Sequence, residues 1–474
     1  MLRDVNATIT DGGIGSDGVK GEGIHVKIGV SPVISDVPIV ITGMMDAKKI
    51  KEKLGLSPLA DACMDSVENG SNMIYCLPVK ATVQGIVGDV SKEGEGLGNC
   101  TVQGNPNNAY EIIVKFTGAG GFNEAVLRYS VDGGYSFSDE LTLALNGELD
   151  IQDTGLKFKF TEDDANKAES FKIDDSYTVK TEAPQMTNQD VLTTIDKLRT
   201  MSYPFEYVHI VGESTKALWA AISTEVEKFA SVYKKPLFAV LEARNITEEE
   251  SLDQYTQYLV NERKGLQNYD IQIVTARSLY TRMDGTVKDI NNAGIVCGLY
   301  SQAKIQQSIG EVRSFSIPEN KMLELLPRGI EDYISILDET KYLSFRKYEG
   351  IEGFYVTNAR MMCPEGSDYK YAEHTRVKNK ILKETRKQAL QEIQTDIDME
   401  DVQGSLEIVA KFIQTPLDTM VREKEISSVR IVVPEGQDIL VTEKLNLTIR
   451  FIPRGYLREI ALDIGMENPF RNQQ

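Results

Sequence analysis

The chain has 474 residues, 41% of them hydrophobic and 26% charged, and a formal net charge of −19. That acidity argues against a nucleic-acid partner, because phosphate binding needs clustered cations that release counterions, and no apolar run approaches the ~20 residues of a membrane span. Five scattered cysteines without a CxxC pair, and three widely separated histidines, give little material for a disulfide framework, a zinc centre or a histidine-based triad.

The chain begins with LRDVNATIT, in which Val5, Ala7 and Ile9 alternate with polar residues as in a half-exposed strand. MLRDVNATIT lacks a basic region followed by an apolar stretch, so no secretory signal is expected. GGIGSDGVKGEG follows, and Gly13, Gly15 and Gly18 have the GxGxxG spacing of a dinucleotide loop. Such a loop needs a buried strand before it and a helix N-terminus after it, since the helix end supplies the phosphate-binding N–H groups. Here GIHVKIGV follows instead, alternating Ile24, Val26 and Ile28 like another half-exposed strand. A pliant link is expected, with Gly12, Gly13, Gly15 and Gly18 as the hinge of an N-terminal arm.

VPIVITGMM then reads as a buried strand, AKKIKEKLG and SPLADACMDSVENG as helices, and NMIYCLPV as a second strand. Between about 81 and 184 short alternating strands separated by turn signals take over: YEIIVKF, AVLRYSV, YSFSDEL, GLKFKF and SYTVKTE. Asp132-Gly133-Gly134 suits a tight hairpin turn that needs positive φ. Leu156, Phe158 and Phe160 share one face of their strand, and Lys157 and Lys159 share the other. After residue 185 strands and helices alternate, EYVHIV, TKALWAAISTEVEKFASVY, PLFAVLEA, SLDQYTQYLVNER and DIQIVTAR, which implies parallel pairing. From Gly350 come a basic helix, RVKNKILKETRKQALQEI, a second helix, SLEIVAKFI, and three candidate strands, SVRIVV, KLNLTIRF and REIALDI. The last alternates Ile460, Leu462 and Ile464.

The expected architecture is an α/β core domain (25–80 and 185–345) with an inserted all-β, sandwich-like module (81–184) and an α+β C-terminal domain (350–455). Extended N- and C-terminal arms (1–24 and 456–474) flank them.

Chemistry finds little purchase. GEST, Gly212 to Thr215, lies where α/β folds bind ligands, but it lacks a P-loop's GxxxxGK, and Ser214 or Thr215 serves equally as a helix cap. Asp396, Asp398, Glu400 and Glu407 have partial EF-hand spacing, with Asp401 where the loop needs glycine. Asp163-Asp164 and Asp174-Asp175 stand in charged, turn-like surroundings without the apolar burial that separates an acid from a base. The basic helix carries Arg376, Lys378, Lys380, Lys383, Arg386 and Lys387 outside an apolar stripe of Val377, Ile381, Leu382, Ala389, Leu390 and Ile393. It is either a solvated face or a contact for an acidic partner. No catalytic, cofactor-binding or metal site is expected. Strand-like termini could instead add to the open sheet edge of another copy, or pair within their own subunit. An α/β enzyme or ligand-binding protein with an accessory β module is the alternative.

The stretch GFYVTNARMMCPEGSDYKYAEHTRVKNKILKETRKQALQEI, Gly353 to Ile393, resembles the contractile tail sheath proteins of bacteriophages and phage-tail-like injection particles. It has their strand ending in an Ala-Arg pair, here Ala359-Arg360, then a loop, an aromatic strand and a basic helix. The DGGYSFS turn and the closing strands are similar to sheath subunits of a divergent branch. Phe354-Tyr355 replaces a frequent Trp-Gly pair, and His374-Thr375 a frequent pair of arginines. The resemblance implies a subunit that polymerises as stacked sixfold rings around a tail tube protein and contracts to drive it through a cell envelope. Its further partners would be baseplate and tail terminator proteins, and it would sit in a virion or particle tail assembled in the bacterial host cytoplasm. Arm strands (Val5, Ala7, Ile9; Ile460, Leu462, Ile464) would join neighbours' sheets, and Lys380, Lys383 and Lys387 would face the tube.

Overall fold

A computed structural model describes residues 22–466; Val5, Ala7, Ile9 and the hinge glycines Gly12, Gly13, Gly15 and Gly18 lie outside the described residues. The chain divides into two compact units, Met1–Asn379 and Lys380–Gln474, and its overall class is mixed α/β.

The first unit is built on strands β1 (His25–Val30), β2 (Ile39–Thr42) and β3 (Met73–Val79), with helices α1 (Ala47–Leu54) and α2 (Pro58–Glu68) between the last two. Asp46 caps α1 through the Lys49 amide, and Ser57 caps α2, which starts on Pro58 where a missing N–H costs nothing. The chain then makes the β module described below and returns through α3 (Asn188–Lys197), β13 (Tyr207–Ser214), α4 (Lys216–Ser231), β14 (Phe238–Ala243), α5 (Leu252–Arg263) and β15 (Ile271–Val274). The six strands form one sheet in the order β15-β14-β13-β1-β3-β2, parallel except for β2. Ile74 and Cys76 face a cluster with α1 and α2, whereas Val26, Ile28, Tyr75 and Leu77 face one with α3 and α4. Helices thus cover both faces, and this corrects the expectation for β1. It is a central strand buried at every position, including His25 and Lys27, because parallel sheets bury both sides.

The β module runs through β4 (Ile86–Val87), β5 (Ser91–Glu93), β6 (Asn99–Gly104), β7 (Tyr110–Gly118), β8 (Val126–Ser130), β9 (Leu141–Thr142), β10 (Glu148–Ile151), β11 (Leu156–Thr161) and β12 (Ser176–Glu182). Two antiparallel sheets, one in the order β10-β11-β6 and one built on β4-β12-β7-β8-β9, enclose a core of Phe116, Phe158, Phe160, Phe171 and Tyr177. Leu156, Phe158 and Phe160 point inward, while Lys157 and Lys159 pair with Glu148 on the outer face. YSFSDEL forms no strand before Leu141. Ser130, Asp132 and Ser136 hydrogen-bond one another around Gly133 (φ 73) and Gly134 (φ 94), holding the segment as a folded loop.

Beyond β15, strands β16 (Arg277–Thr281) and β17 (Val287–Asn291), helix α6 (Ala293–Gln302) and strand β18 (Met322–Leu326) follow, the strands forming a small antiparallel sheet. Then come α7 (Ile334–Glu339) and the pair β19 (Phe345–Tyr348) and β20 (Ile351–Val356). The boundary between the units falls inside α8 (Ala372–Ala389). The second unit continues with α9 (Val402–Arg422), β21 (Ser428–Val432), the short α10 (Ile439–Thr442) and β22 (Thr448–Ile452). Helix α9 buries Leu406, Val409, Ile413, Leu417 and Met420, and β21 pairs only with β22 among the described residues. Two sequence expectations fail here. The apolar stripe of α8 buries Val377 and Ile381 but leaves Leu382, Leu390 and Ile393 exposed. REIALDI, residues 458–464, forms no strand among the described residues.

Candidate functional site

Chemistry-bearing side chains converge at a cleft of about 630 Å³ where the core sheet meets the β module. Asp61 and Asp65, one turn apart on α2, both reach Arg282. Arg282 donates Nε to Asp65 Oδ1 at 2.8 Å and Nη2 to Asp65 Oδ2 at 3.0 Å, and its Nη1 donates to Asp61. Asn108 of the module donates to Asp61 at 2.8 Å, and Lys288 of β17 lies 3.4 Å from it. Lys288 also stands over the Tyr110 ring. Burial works against the Asp61 charge, but Arg282 and Lys288 outweigh it and hold its pKa below the usual value; burial pushes Asp65 up to about 6. The carboxylates are committed to a buried ion network that fastens the module to the core.

Behind the cleft a hydrogen-bonded row crosses the sheet. Lys27 Nζ lies 2.6 Å from His209 Nδ1, and His209 Nε2 lies 2.9 Å from Glu242 Oε1. Lys27 and His209 are paired in register on neighbouring strands. Burial keeps His209 neutral well below its ordinary pKa and raises Glu242 to about 7. The ammonium of Lys27 donates to one imidazole nitrogen, and the other nitrogen donates to the carboxylate. Sequence reasoning missed this row; Lys27 and His209 sit in otherwise apolar strands, but only the pairing register brings them together.

The other candidates have structural work. At GEST, Ser214 donates to the Glu242 carbonyl and accepts from Trp219 Nε1 at 2.8 Å, and Thr215 makes no side-chain cap. The first amide of α4, on Lys216, donates to Glu262 at 2.9 Å. Asp175 is no solvated carboxylate: it is buried and accepts from the amides of Glu95, Gly96 and Lys172. Asp401 caps α9 through Gly404. Among the described residues no cluster of three metal-binding side chains occurs, and no helix is long and apolar enough to cross a membrane.

The basic helix divides by depth. Arg376 is fully buried on Glu206, and Lys378 bonds Asp270 at 2.7 Å. Lys380 is paired with Glu425 at 2.6 Å, its side chain 13% exposed. Lys383 is half-buried, whereas Arg386 and Lys387 are exposed. In the Ala-Arg pair, Arg360 bonds Asp338 and stands 5.0 Å from the Tyr371 ring, tying the start of α8 to α7.

At the C-terminal end, β22 has one edge without a ladder among the described residues. The following segment, Pro453 to Met466, has no secondary structure, and its Ile460, Leu462 and Ile464 are 72%, 78% and 88% exposed. Alternating large apolar side chains in water are costly, at about 25 cal/mol for each Å² left uncovered.

The mixed α/β fold of this chain is shared with solved chains of contractile particles. The chain is similar to a subunit of the contracted sheath complex of an extracellular contractile injection system, PVC, with TM-score 0.53 and 10% identity, covering 99% of this chain and 100% of that one. A chain of the anti-feeding prophage baseplate in its contracted state gives 0.51, 10%, 99% and 100%. A sheath tail protein from Desulfitobacterium hafniense gives 0.49, 12%, 96% and 100%. The protein belongs to the DUF2586 family, whose N-terminal domain matches residues 2–360 and whose C-terminal domain matches residues 368–471. No curated protein matches the chain.

Proposed function

We propose that this protein is the structural subunit of a contractile tail sheath, polymerising around an inner tube and contracting to drive it through a target envelope. The observation that carries this is the exposed alternation of Ile460, Leu462 and Ile464 directly after an open-edged β pair. An extended segment of that pattern gains main-chain hydrogen bonds and covers its apolar side chains by adding to the sheet of another copy. A head-to-tail exchange that does not close on itself builds a helical array. The fold shared with the PVC sheath supports the same assignment.

In this scheme residues 1–24 and 456–474 are the arms, joined to the core (25–80, 185–345), the β module (81–184) and the C-terminal domain (350–455). Val5, Ala7 and Ile9 form the N-terminal arm strand, and Gly12, Gly13, Gly15 and Gly18 its hinge. The partners are further copies in stacked sixfold rings, a tail tube, a baseplate and a tail terminator, in a particle tail assembled in a bacterial host. The role is mechanical rather than catalytic. Lys380, Lys383 and Lys387 are the tube-facing lysines; Lys380 is also paired with Glu425 and Lys383 is half-buried, so the exposed Lys387, beside Arg386, is the one its surroundings leave most open to a partner.

Negative-stain electron microscopy of the purified full-length protein over a concentration series tests the proposal. Hollow tubes or stacked rings of uniform diameter are expected, and their loss on deleting residues 456–474 from a chain that remains folded. Normal tubes from the deletion would reject arm exchange.

A further inference from the structure

Two cysteine sulfurs in the core touch without being bonded. Cys63, on α2, and Cys76, on β3, place their Sγ atoms 3.3 Å apart, and both residues are fully buried free thiols. Each stands on an anchored element. Helix α2 is capped by Ser57 and held at its opposite face through Asp61 and Asp65 to Arg282, while β3 is paired with β1 on one side and β2 on the other. Cys76 lies in register with Lys27 of β1. Neither the ion network nor the sheath assignment uses the pair.

We propose that Cys63 and Cys76 form a redox-closed cross-link, in which a two-electron oxidation joins their sulfurs and staples α2 to β3. The two sulfurs, 3.3 Å apart, have only to approach to the ~2.05 Å of a disulfide. With hydrogen peroxide as oxidant the step balances in two stages. One thiolate attacks a peroxide oxygen, breaking the O–O bond and leaving a sulfenic acid and one water; the second sulfur then displaces the sulfenic oxygen as another water. In total two thiols and one peroxide give one disulfide and two waters.

Burial sets the rate and the default state. It pushes the Cys76 thiol well above its ordinary pKa, an effect the neighbouring Cys63 thiol reinforces and the Lys27 ammonium opposes. The thiolate is the reactive form, so the pair persists as a dithiol in a reducing compartment and closes slowly where oxidant is available. It is a latch and not a catalytic couple. Cys63 stands between Asp61 and Asp65 on the same helix, so the closed form also fixes the helix on which the β module is seated. This inference is independent of the sheath assignment.

The test oxidises the native full-length protein with hydrogen peroxide, quenches it, alkylates the remaining thiols under denaturing conditions and maps the five cysteines by mass spectrometry. The expected result is Cys63 joined to Cys76, a loss of two alkylatable thiols that dithiothreitol restores, and slower amide exchange in α2. Cys100, the half-buried cysteine of the β module, is the competing site. In a Cys100→Ala background the thiols should fall from four to two. Four thiols surviving in that background, or a disulfide joining any other pair, would overturn the proposal. The Cys63→Ala variant should form no internal link with Cys76.

Discussion

Arg376 and Glu206 form a fully buried, two-pronged ion pair, Nε to Oε1 at 2.5 Å and Nη2 to Oε2 at 3.0 Å. The same guanidinium donates to the Tyr300 carbonyl, and Glu206 accepts the Gly23 amide at 2.8 Å. A residue that the sequence places on a solvated basic helix is therefore a bolt between the first turns of α8, the entry to β1 and the end of α6. Replacing Arg376 with Ala strands a buried carboxylate and should cost roughly 3–5 kcal/mol, whereas a double Arg376→Met, Glu206→Leu variant should recover most of it. Thermal denaturation of the three proteins checks this; an Arg376→Ala protein as stable as wild type would mean that water reaches Glu206.

Glu242 makes stability depend on pH in a defined direction. Its folded pKa, about 7, lies above the ordinary 4.5 because burial disfavours the charge. The proton that the folded state retains stabilises it fully below about 4.5, and that contribution is lost as pH rises through 7. Glu242→Gln, neutral throughout, should gain stability relative to wild type across that window, by at most about 3 kcal/mol, and level off above it. Melting temperatures of both proteins from pH 4 to 8 measure the difference; a flat difference would show that burial does not raise the Glu242 pKa in the folded protein.

Helices α2 and α6 pack closely because α6 has glycine where they cross. A Cβ on Gly298 would lie 2.6 Å from Asn69 Cβ and 2.8 Å from the carbonyls of Asn69 and Ser66, and Ser66 bonds the Gly294 carbonyl at 2.6 Å. Gly298→Ala should destabilise by roughly 1–3 kcal/mol despite its better helix propensity. A urea titration showing stabilisation would mean that α6 shifts freely.

Ile460, Leu462 and Ile464 give the opposite pattern. Changing all three to Asp should leave the melting temperature within a degree or two, because exposed positions contribute little to the fold. Polymer formation, read by sedimentation and electron microscopy, should disappear. Loss of folding would place these side chains in their own subunit's core.

Reversing charge at Arg386 and Lys387 should weaken binding to a purified tail tube, most clearly at low salt, and leave melting unchanged. Equal binding at every ionic strength would remove the tube from the partners of this helix.

Periodicity alone located most of the regular structure: β7, β11 and β12 of the module, and α4, β14, α5 and β15 of the core, because each buries a face at a period of 2 or 3.6 that survives in any context. It also singled out Ile460, Leu462 and Ile464, whose alternation is a local property. It could not say what those side chains meet, since a pattern fixes which face seeks burial and not the surface that provides it. Lys27 is the clearest case of the tertiary structure deciding. GIHVKIGV alternates as a half-wet strand, yet β13 and β3 flank it and helices close over both faces, so its polar side chains are buried and bonded across the sheet. Arg376, Asp175 and the Cys63–Cys76 contact follow the same logic. Their partners are 170, 80 and 13 residues away in sequence. Charge, thiol and carboxylate are properties of the sequence; whether each is solvated, paired or in contact was set only when the chain brought distant segments together and excluded water from between them.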